Sequence, residues 1–248
     1  IYRDHFSLDA HLVLPEKPVG SKSLSLPLDY VKSAKVVEST IFDFPNKSLV
    51  IELKSPMSVL STLEGERSGI VWVGNHGFPP PTWGLGHGIG LKGLKKRICR
   101  VLGKPEEKSS FLMTGANMDN LSISTAQFKD MSVYALVTAG VRGNAVRMSK
   151  DEGRFYELGT INIIVLSNVK LSSRARARLI ISATEAKTAA LQDLDVRSTE
   201  HPVPWQATGT GTDEVIVVEG AGPVVDNAGG HCKLGELVAK AVYEGVRE

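Results

Sequence analysis

The sequence has 248 residues, 42% of them hydrophobic and 23% charged, which is the composition of a folded globular protein and not of a disordered chain. The 29 basic and 27 acidic residues nearly cancel to a net charge of +2, so the charge gives no sign of a nucleic-acid-binding surface. No apolar run approaches the roughly 18 residues of a membrane-spanning helix.

Two cysteines, Cys99 and Cys232, show neither zinc-type spacing nor a disulfide framework, and we expect a cytoplasmic protein. The chain begins at Ile1 without a methionine, which leaves open an upstream segment such as a signal sequence.

Residues 1–47 differ in pattern from the rest of the chain. Pro15, Pro18 and Pro27 interrupt short apolar runs, and proline is confined to the edges and ends of strands. We therefore divide the chain into an N-terminal arm or set of edge strands, 1–47, and a main domain, 48–248.

The main domain begins with strand-like runs. SLVIEL and MSVLST are separated by Lys54-Ser55-Pro56, and this pattern predicts a hairpin. IVWVGNH at 70–76 predicts another strand, and the Pro- and Gly-rich segment after it, up to Gly90, predicts a long irregular loop. Apolar residues at helical spacing then predict a helix over 89–102.

The remaining elements alternate between strands and helices. The predicted strands are 111–116, followed by a short helix, then 133–140, 160–166 and 214–218, and the predicted long helices are 172–194 and 233–247. The fold class is therefore α/β or α+β, with a layered mixed sheet packed against helices in a single main domain.

Several predicted strands end in loops rich in glycine, asparagine and threonine. These loops are 74–77, 114–119, 138–144 and 208–213. Ligands usually bind where such loop ends meet. If the four loops converge, they form one polar pocket, with candidate amide side chains at Asn75, Asn117, Asn144 and Asn162.

Lys187 lies within the apolar stripe of the helix predicted over 172–194, whereas Glu185 lies on nearly the opposite face. A buried ammonium is costly unless it is paired. Lys187 therefore either pairs with a carboxylate and acts on substrate, or lies at the stripe edge and extends to solvent. Glu185 is either a solvated charge or part of a polar face with Thr184 and Thr188.

The segment ATGTGTDEVIVV places small polar residues directly before a buried-type strand. Asp213 is either a general base or a carboxylate that hydrogen-bonds its own loop. The segment lacks the G-K-[ST] of a nucleotide-binding loop. The substrate-binding candidates within it are Thr208, Gly209, Thr210, Gly211 and Thr212.

His231 lies between two glycines and the start of the last helix, so it is either a proton donor or a solvated residue. His76, His87 and His231 have no metal-binding spacing, and we expect no protein-held metal. Cys232 is better interpreted as a small buried thiol than as a nucleophile.

Taken together, these motifs resemble the adenosylcobinamide amidohydrolases, the CbiZ family. The resemblance covers about 48–247 and is carried by VLST, VGNH, VTAGVRGNA, GTINIIV, ATEAKTAAL, ATGTGTDEVIVV and HCKLGELVAKAVYEGV. The chain departs from the family pattern at Glu64-Gly65-Glu66, in 78–90 and beside His231, which leaves the exact corrinoid open.

The resemblance implies hydrolysis of adenosylcobinamide to adenosylcobyric acid and aminopropanol, with cobalt present only inside the substrate. Asp213 or Glu185 would activate water, Lys187 or the loop amides would stabilise the oxyanion, and His231 would protonate the amine. A threonine nucleophile, Thr208 or Thr210, is the covalent alternative. Asn75, His76, Asn144 and Asn162 would bind the corrinoid. The alternative function is a corrinoid-binding or transport-associated module without catalysis.

Overall fold

A computed structural model describes residues 14–152 and 159–248, and the first 13 residues of the predicted arm lie outside this description. The side chain of His87 also lies outside it. The helices are α1 (Trp83–Leu102), α2 (Ser173–Asp193) and α3 (Lys233–Arg247). The strands are β1 (Lys17–Leu24), β2 (Val31–Ile41), β3 (Phe44–Ser61), β4 (Gly65–Gly77), β5 (Ser109–Thr114), β6 (Ser122–Phe128), β7 (Met131–Ala139), β8 (Ala145–Val146), β9 (Ile161–Ser167), β10 (Lys170–Leu171), β11 (Gly209–Thr210), β12 (Glu214–Val218) and β13 (Val224–Val225).

Nine strands form one curled mixed sheet in the order β1-β2-β3-β12-β9-β7-β6, with β4 paired to β3 and β5 paired to β4. The 18-residue strand β3 pairs with β2 along its first part and with β12 near its end, and β4 lies along its other edge. The β4–β5 and β9–β12 pairs are parallel and the other pairs of this sheet are antiparallel. This confirms the predicted mixed sheet and places the protein in the α+β class.

Three layers of apolar side chains hold the sheet and helices together. The inner faces of the curled sheet pack on each other, with Ile164 and Ile216 among the buried residues. The outer face of β7, β9 and β12 packs against α2 and α3, and α1 covers β2 to β5. Strand β9 is buried along its whole length because its side chains alternate between two of these layers. This burial was expected from its continuous apolar run.

The predicted hairpin at 54–56 is wrong. Strand β3 runs continuously through this segment, and its pairing with β4 shifts register between Glu52 and Met57. Pro56 is exposed within this irregular stretch, where proline is tolerated because it breaks no regular ladder. The chain instead reverses direction between Ser61 and Gly65, at the turn from β3 to β4.

The predicted loop after β4 is shorter than expected. Helix α1 begins at Trp83, and its only non-helical residue is Gly90, with φ 69° and ψ 166°, so the helix is kinked there. The prediction placed the start at residue 89, at this kink, because closely spaced glycines disfavour a helix interior. Strand β6 was missed, because Ser122–Phe128 has few apolar residues.

The two C-terminal helices match their predicted bounds to within one residue. The Ser172 hydroxyl accepts a hydrogen bond from the Ala175 backbone and caps the start of α2. The division predicted at 47/48 falls inside β3, and the described part of 1–47 contributes β1 and β2 to the same sheet. Among the described helices, none combines the length and apolar character needed to cross a membrane.

Candidate active site

Lys187 and Asp213 form a buried ion pair between helix α2 and the start of β12. The ammonium of Lys187 lies 2.5 Å from Oδ2 of Asp213, and the two side chains are 9% and 14% exposed. The lysine on the core-facing stripe is therefore paired and does not extend to solvent. A buried ammonium requires a partner, and here the partner is the carboxylate of Asp213 in the ATGTGTD segment.

Asp213 is saturated by donors. Besides Lys187, its carboxylate accepts hydrogen bonds from the Thr210 backbone at 2.9 Å, the Thr210 hydroxyl at 2.6 Å and the Ile161 backbone at 3.0 Å. Gly209 is needed here, because a Cβ would lie 2.2 Å from Asp213 Oδ2 and 2.5 Å from the Lys187 ammonium. One carboxylate thus ties helix α2, strand β9 and the 208–213 loop together.

Residues 145–148, directly after the 138–144 loop, pair with the 208–213 loop beside this carboxylate. The short strand β8 pairs with β11, and the Gly140 backbone donates to the Thr160 carbonyl at 2.9 Å. The Thr208 hydroxyl accepts from the Met148 backbone at 3.0 Å, and the Thr188 hydroxyl donates to the Thr208 carbonyl at 3.0 Å. The segment that directly follows the 138–144 loop is therefore in direct contact with the 208–213 loop.

A second set of polar groups connects these loops to the ends of β4 and β5. Asn75 donates to the Thr138 hydroxyl at 2.9 Å, and Asn162 donates to Asn75 Oδ1 and to the Met113 carbonyl, each at 2.9 Å. Both asparagines are buried. The 74–77 and 138–144 loops therefore meet beside the end of β5, and the amides of Asn75 and Asn162 form the floor of this polar end of the inner layer.

Glu214 borders the same floor and was missed as a site residue. It is the register partner of Asn162 in the β9–β12 pair. Burial raises its pKa to about 7, partly offset by a hydrogen bond with the Met113 backbone. Its Oε2 atom is buried and has no hydrogen-bond partner among the described residues. The available signal was an acidic residue at the inward-facing end of a buried strand.

Other predicted residues lie apart from Asp213. Glu185 is exposed on α2, and the structure gives it no hydrogen bond or ion pair with another described residue. His231 is exposed, with Nε2 3.3 Å from the Asn227 amide nitrogen. Cys232, partly buried, directs its thiol at the carbonyls of Asn227 and Gly229, as expected of a structural thiol.

Two further substrate-binding candidates have distinct surroundings. His76 is completely buried, its Nδ1 lies 2.7 Å from the Ser48 hydroxyl, and desolvation lowers its pKa to about 3. Asn144 is also buried. Its amide nitrogen donates to the Gly159 carbonyl, while its Oδ1 has no partner among the described residues. Asn144 therefore has an acceptor oxygen that no described residue uses, whereas His76 is a neutral ring in the interior.

An open cavity of about 490 Å³ lies beside the ends of β4 and β5. Its wall includes the loop segments 77–80 and 115–118, so it shares two of the predicted loop ends. Asn46 lines it and leaves its buried Oδ1 without a partner among the described residues. Lys47, which also lines it, is held by Asp119 at 2.5 Å.

One group of side chains within the described ranges has donor atoms close enough to hold a cation. These atoms belong to Asp151, Glu200 and His201 and lie within 4.8 Å of one another. Asp151 already accepts hydrogen bonds from the Arg147 backbone and the Ser198 hydroxyl and lies 2.9 Å from His201 Nδ1. Within the described part of the chain, this group acts as a brace between two loops.

Comparison with known proteins gives one family. The model of the CbiZ family, adenosylcobinamide amidohydrolase, matches residues 27–248. An uncharacterized protein of Methanocaldococcus jannaschii is 40% identical over 244 residues, which cover 90% of this chain and 94% of that protein. An adenosylcobinamide amidohydrolase of Methanosarcina mazei is 32% identical over 152 residues, 57% of this chain and 66% of that protein.

Among solved structures, the PH0078 protein from Pyrococcus horikoshii aligns with a TM-score of 0.43 and 12% identity, over 94% of this chain and 83% of its own.

Proposed function

The chain belongs to the adenosylcobinamide amidohydrolase family, and on that premise we propose that it hydrolyses the aminopropanol amide of adenosylcobinamide. The products are adenosylcobyric acid and aminopropanol, and cobalt enters only as part of the corrinoid. The observation that carries this proposal is the family match over residues 27–248, which spans every loop of the converging polar end. The name of the M. mazei relative supports the same reaction.

Amide hydrolysis requires a nucleophile, a group that stabilises the oxyanion and a proton for the leaving amine. The polar end of the inner layer offers carboxylates, hydroxyls and loop amides within one region. Asp213, beside this region on the outer face of the sheet, acts as a positioning group, because its carboxylate already accepts four hydrogen bonds. Together with Lys187 it holds the 208–213 loop in the shape that faces the substrate.

The two threonines proposed as covalent nucleophiles, Thr208 and Thr210, differ in their contacts. The Thr210 hydroxyl donates to Asp213 at 2.6 Å, a distance at which a carboxylate can accept its proton. Among the described residues, the Thr208 hydroxyl instead contacts only backbone groups, those of Met148 and Val146. Of the two, Thr210 is therefore the one with a carboxylate in reach, and a Thr210→Val variant that keeps full activity would leave water as the nucleophile.

Corrinoid recognition is proposed to use fixed acceptors on buried amides. A corrin ring carries peripheral amide side chains whose N–H groups need acceptors. Asn144 and Asn46 each have a buried Oδ1 without a described partner. The cavity beside Asn46 holds about 490 Å³, so it takes one edge of the corrinoid and not the whole ring.

The reaction is tested by incubating the purified protein with adenosylcobinamide and measuring both products by liquid chromatography and mass spectrometry. We expect aminopropanol and adenosylcobyric acid to appear in equal amounts, and adenosylcobyric acid supplied as substrate to remain unchanged. A protein that retains the corrinoid but leaves its amide intact would support the alternative, a binding module without catalysis.

A further inference from the structure

Glu214 occupies the inward-facing position at the start of β12. Side chains alternate between the two faces of a strand, and Ile216 and Val218 of this strand pack inside the curled sheet. Glu214 therefore points to the same side, away from the Lys187–Asp213 pair on the outer face. The carboxylates of Asp213 and Glu214 have different surroundings because they lie on opposite faces of the sheet.

The neighbours of Glu214 are neutral groups whose donors serve each other. Its register partner Asn162 donates to Asn75 and to the Met113 carbonyl, and Asn75 donates to Thr138. The Met113 backbone hydrogen-bonds to the Glu214 carboxylate. Its Oε2 atom is left buried without a described partner. This oxygen is an acceptor that the fold itself does not use.

The charged groups whose fields act on Glu214 are themselves negative. Glu64, from the turn between β3 and β4, and Asp213, the residue directly before β12, both disfavour its ionised form. The cations nearby are engaged elsewhere, since Lys95 and Arg67 contact Glu64 and Lys187 contacts Asp213.

The strands near Glu214 do not change this balance. Strand β9, which pairs with β12 at Glu214, contains no acidic or basic residue, and neither does β5, which contacts β12. Strand β3 pairs with β12 only opposite Ile216–Val218, through Val59–Ser61, which are uncharged. Within the described ranges, Glu214 thus differs from Asp213 in having no cation that pairs with its ionised form, and such an environment keeps a carboxyl group basic.

Resting on the proposed function, we infer that Glu214 is the general base of the reaction, with Oε2 as the atom that takes a proton from the attacking water. The water oxygen forms a bond with the amide carbonyl carbon as its proton moves to Glu214. The C–N bond then breaks, and Glu214 returns the proton to the departing aminopropanol nitrogen. One water is consumed, and one carboxylic acid and one amine are released.

The test compares Glu214→Gln with Glu214→Asp and with Glu219→Gln. Glu219 is a matched control, because it lies just beyond the other end of β12 and its carboxylate also accepts a backbone hydrogen bond, from Ser58. Aminopropanol release, corrinoid binding and thermal unfolding are measured for each protein between pH 5 and pH 9.

For the wild type, we expect kcat/KM to fall below about pH 7, where the pKa of Glu214 lies and the carboxylate takes up its proton. General base catalysis contributes about 100-fold or more, so Glu214→Gln should lose at least that factor in kcat while its corrinoid binding is unchanged. Glu214→Asp should recover part of the rate, and Glu219→Gln should match the wild type. Glu214→Gln should also unfold at a higher temperature than the wild type at pH 8, because a buried charge is removed.

Each remaining outcome decides a different point. A folded Glu214→Gln protein with kcat within about threefold of the wild type would overturn the assignment of the base and leave the proposed reaction standing. If that variant does not fold, a wild-type kcat/KM that is flat from pH 5 to pH 8 overturns it instead. If the wild type releases no aminopropanol, the proposed function fails, and the role of Glu214 fails with it.

Discussion

Replacing Lys187 by methionine removes the charge of the buried ion pair and keeps the unbranched apolar stem. The side chain is 9% exposed and its ammonium lies 2.5 Å from Asp213 Oδ2. After the change, the Asp213 carboxylate keeps three donors, two from Thr210 and one from the Ile161 backbone. The variant therefore leaves a buried carboxylate that is hydrogen-bonded but has lost its counter-charge.

The expected cost follows from this geometry. Removing one partner of a buried ion pair destabilises a protein by about 3–5 kcal/mol, because the other charge stays buried. The three remaining hydrogen bonds to Asp213 place this case at the lower end, about 3 kcal/mol. In a domain of this size each kcal/mol shifts Tm by about 2–4 °C, so we expect Lys187→Met to melt about 6–12 °C below the wild type.

The control is Lys240→Met on helix α3, where the lysine side chain is 64% exposed and pairs with Glu236. An exposed pair contributes about 0–1 kcal/mol, so this variant should melt near the wild type. Urea unfolding and thermal melting of both variants provide the comparison. If Lys187→Met lost no more stability than Lys240→Met, the conclusion that a buried pair fixes the 208–213 loop would be refuted.

Two further changes probe the packing and the titration of β4. Gly74→Ala should lower the free energy of unfolding by about 3 kcal/mol or more, because the new Cβ would lie 2.2 Å from the Leu49 carbonyl and 2.3 Å from the Phe111 ring. Gly88→Ala is the control, since the space around its Cβ is open, and it should be neutral or stabilising. Urea titration measures both variants. The pKa of His76 is about 3 in the folded protein and 6.5 in the unfolded chain. Its contribution to the stability of the fold is therefore complete above pH 6.5 and is lost as the pH falls towards 3. The free energy of unfolding of the wild type should therefore drop by about 2–3 kcal/mol from pH 7 to pH 4.5 because of His76. His76→Gln should lack this part of the pH dependence, and a variant with the same pH dependence as the wild type would contradict the prediction.

The sequence identified Lys187 and Asp213 because each breaks a local rule. An ammonium on an apolar helical stripe requires a partner, and a carboxylate beside two glycines at a strand entrance has donors nearby. The helices α2 and α3 and the buried strands β9 and β12 were predictable for the related reason that their apolar periodicity is strong.

What the sequence could not supply is the pairing of distant strands. The contact between Asn75 and Asn162 joins residues 87 positions apart, and it depends on the curl of the sheet. Glu214 was not predicted as a site residue, because the sequence does not show which face of β12 points to the inside of the curled sheet or that Asn162 lies beside it. The false hairpin at 54–56 arose because a long strand with an irregular centre has the pattern of two short strands.

The central claim is that this chain adds water across the aminopropanol amide of adenosylcobinamide. The most direct measurement is to run the reaction in water enriched in oxygen-18 and to determine the mass of the corrinoid product by mass spectrometry. We expect adenosylcobyric acid with one oxygen-18 in its new carboxyl group and one aminopropanol released per corrinoid. Adenosylcobinamide recovered intact and unlabelled, although bound by the protein, would contradict it.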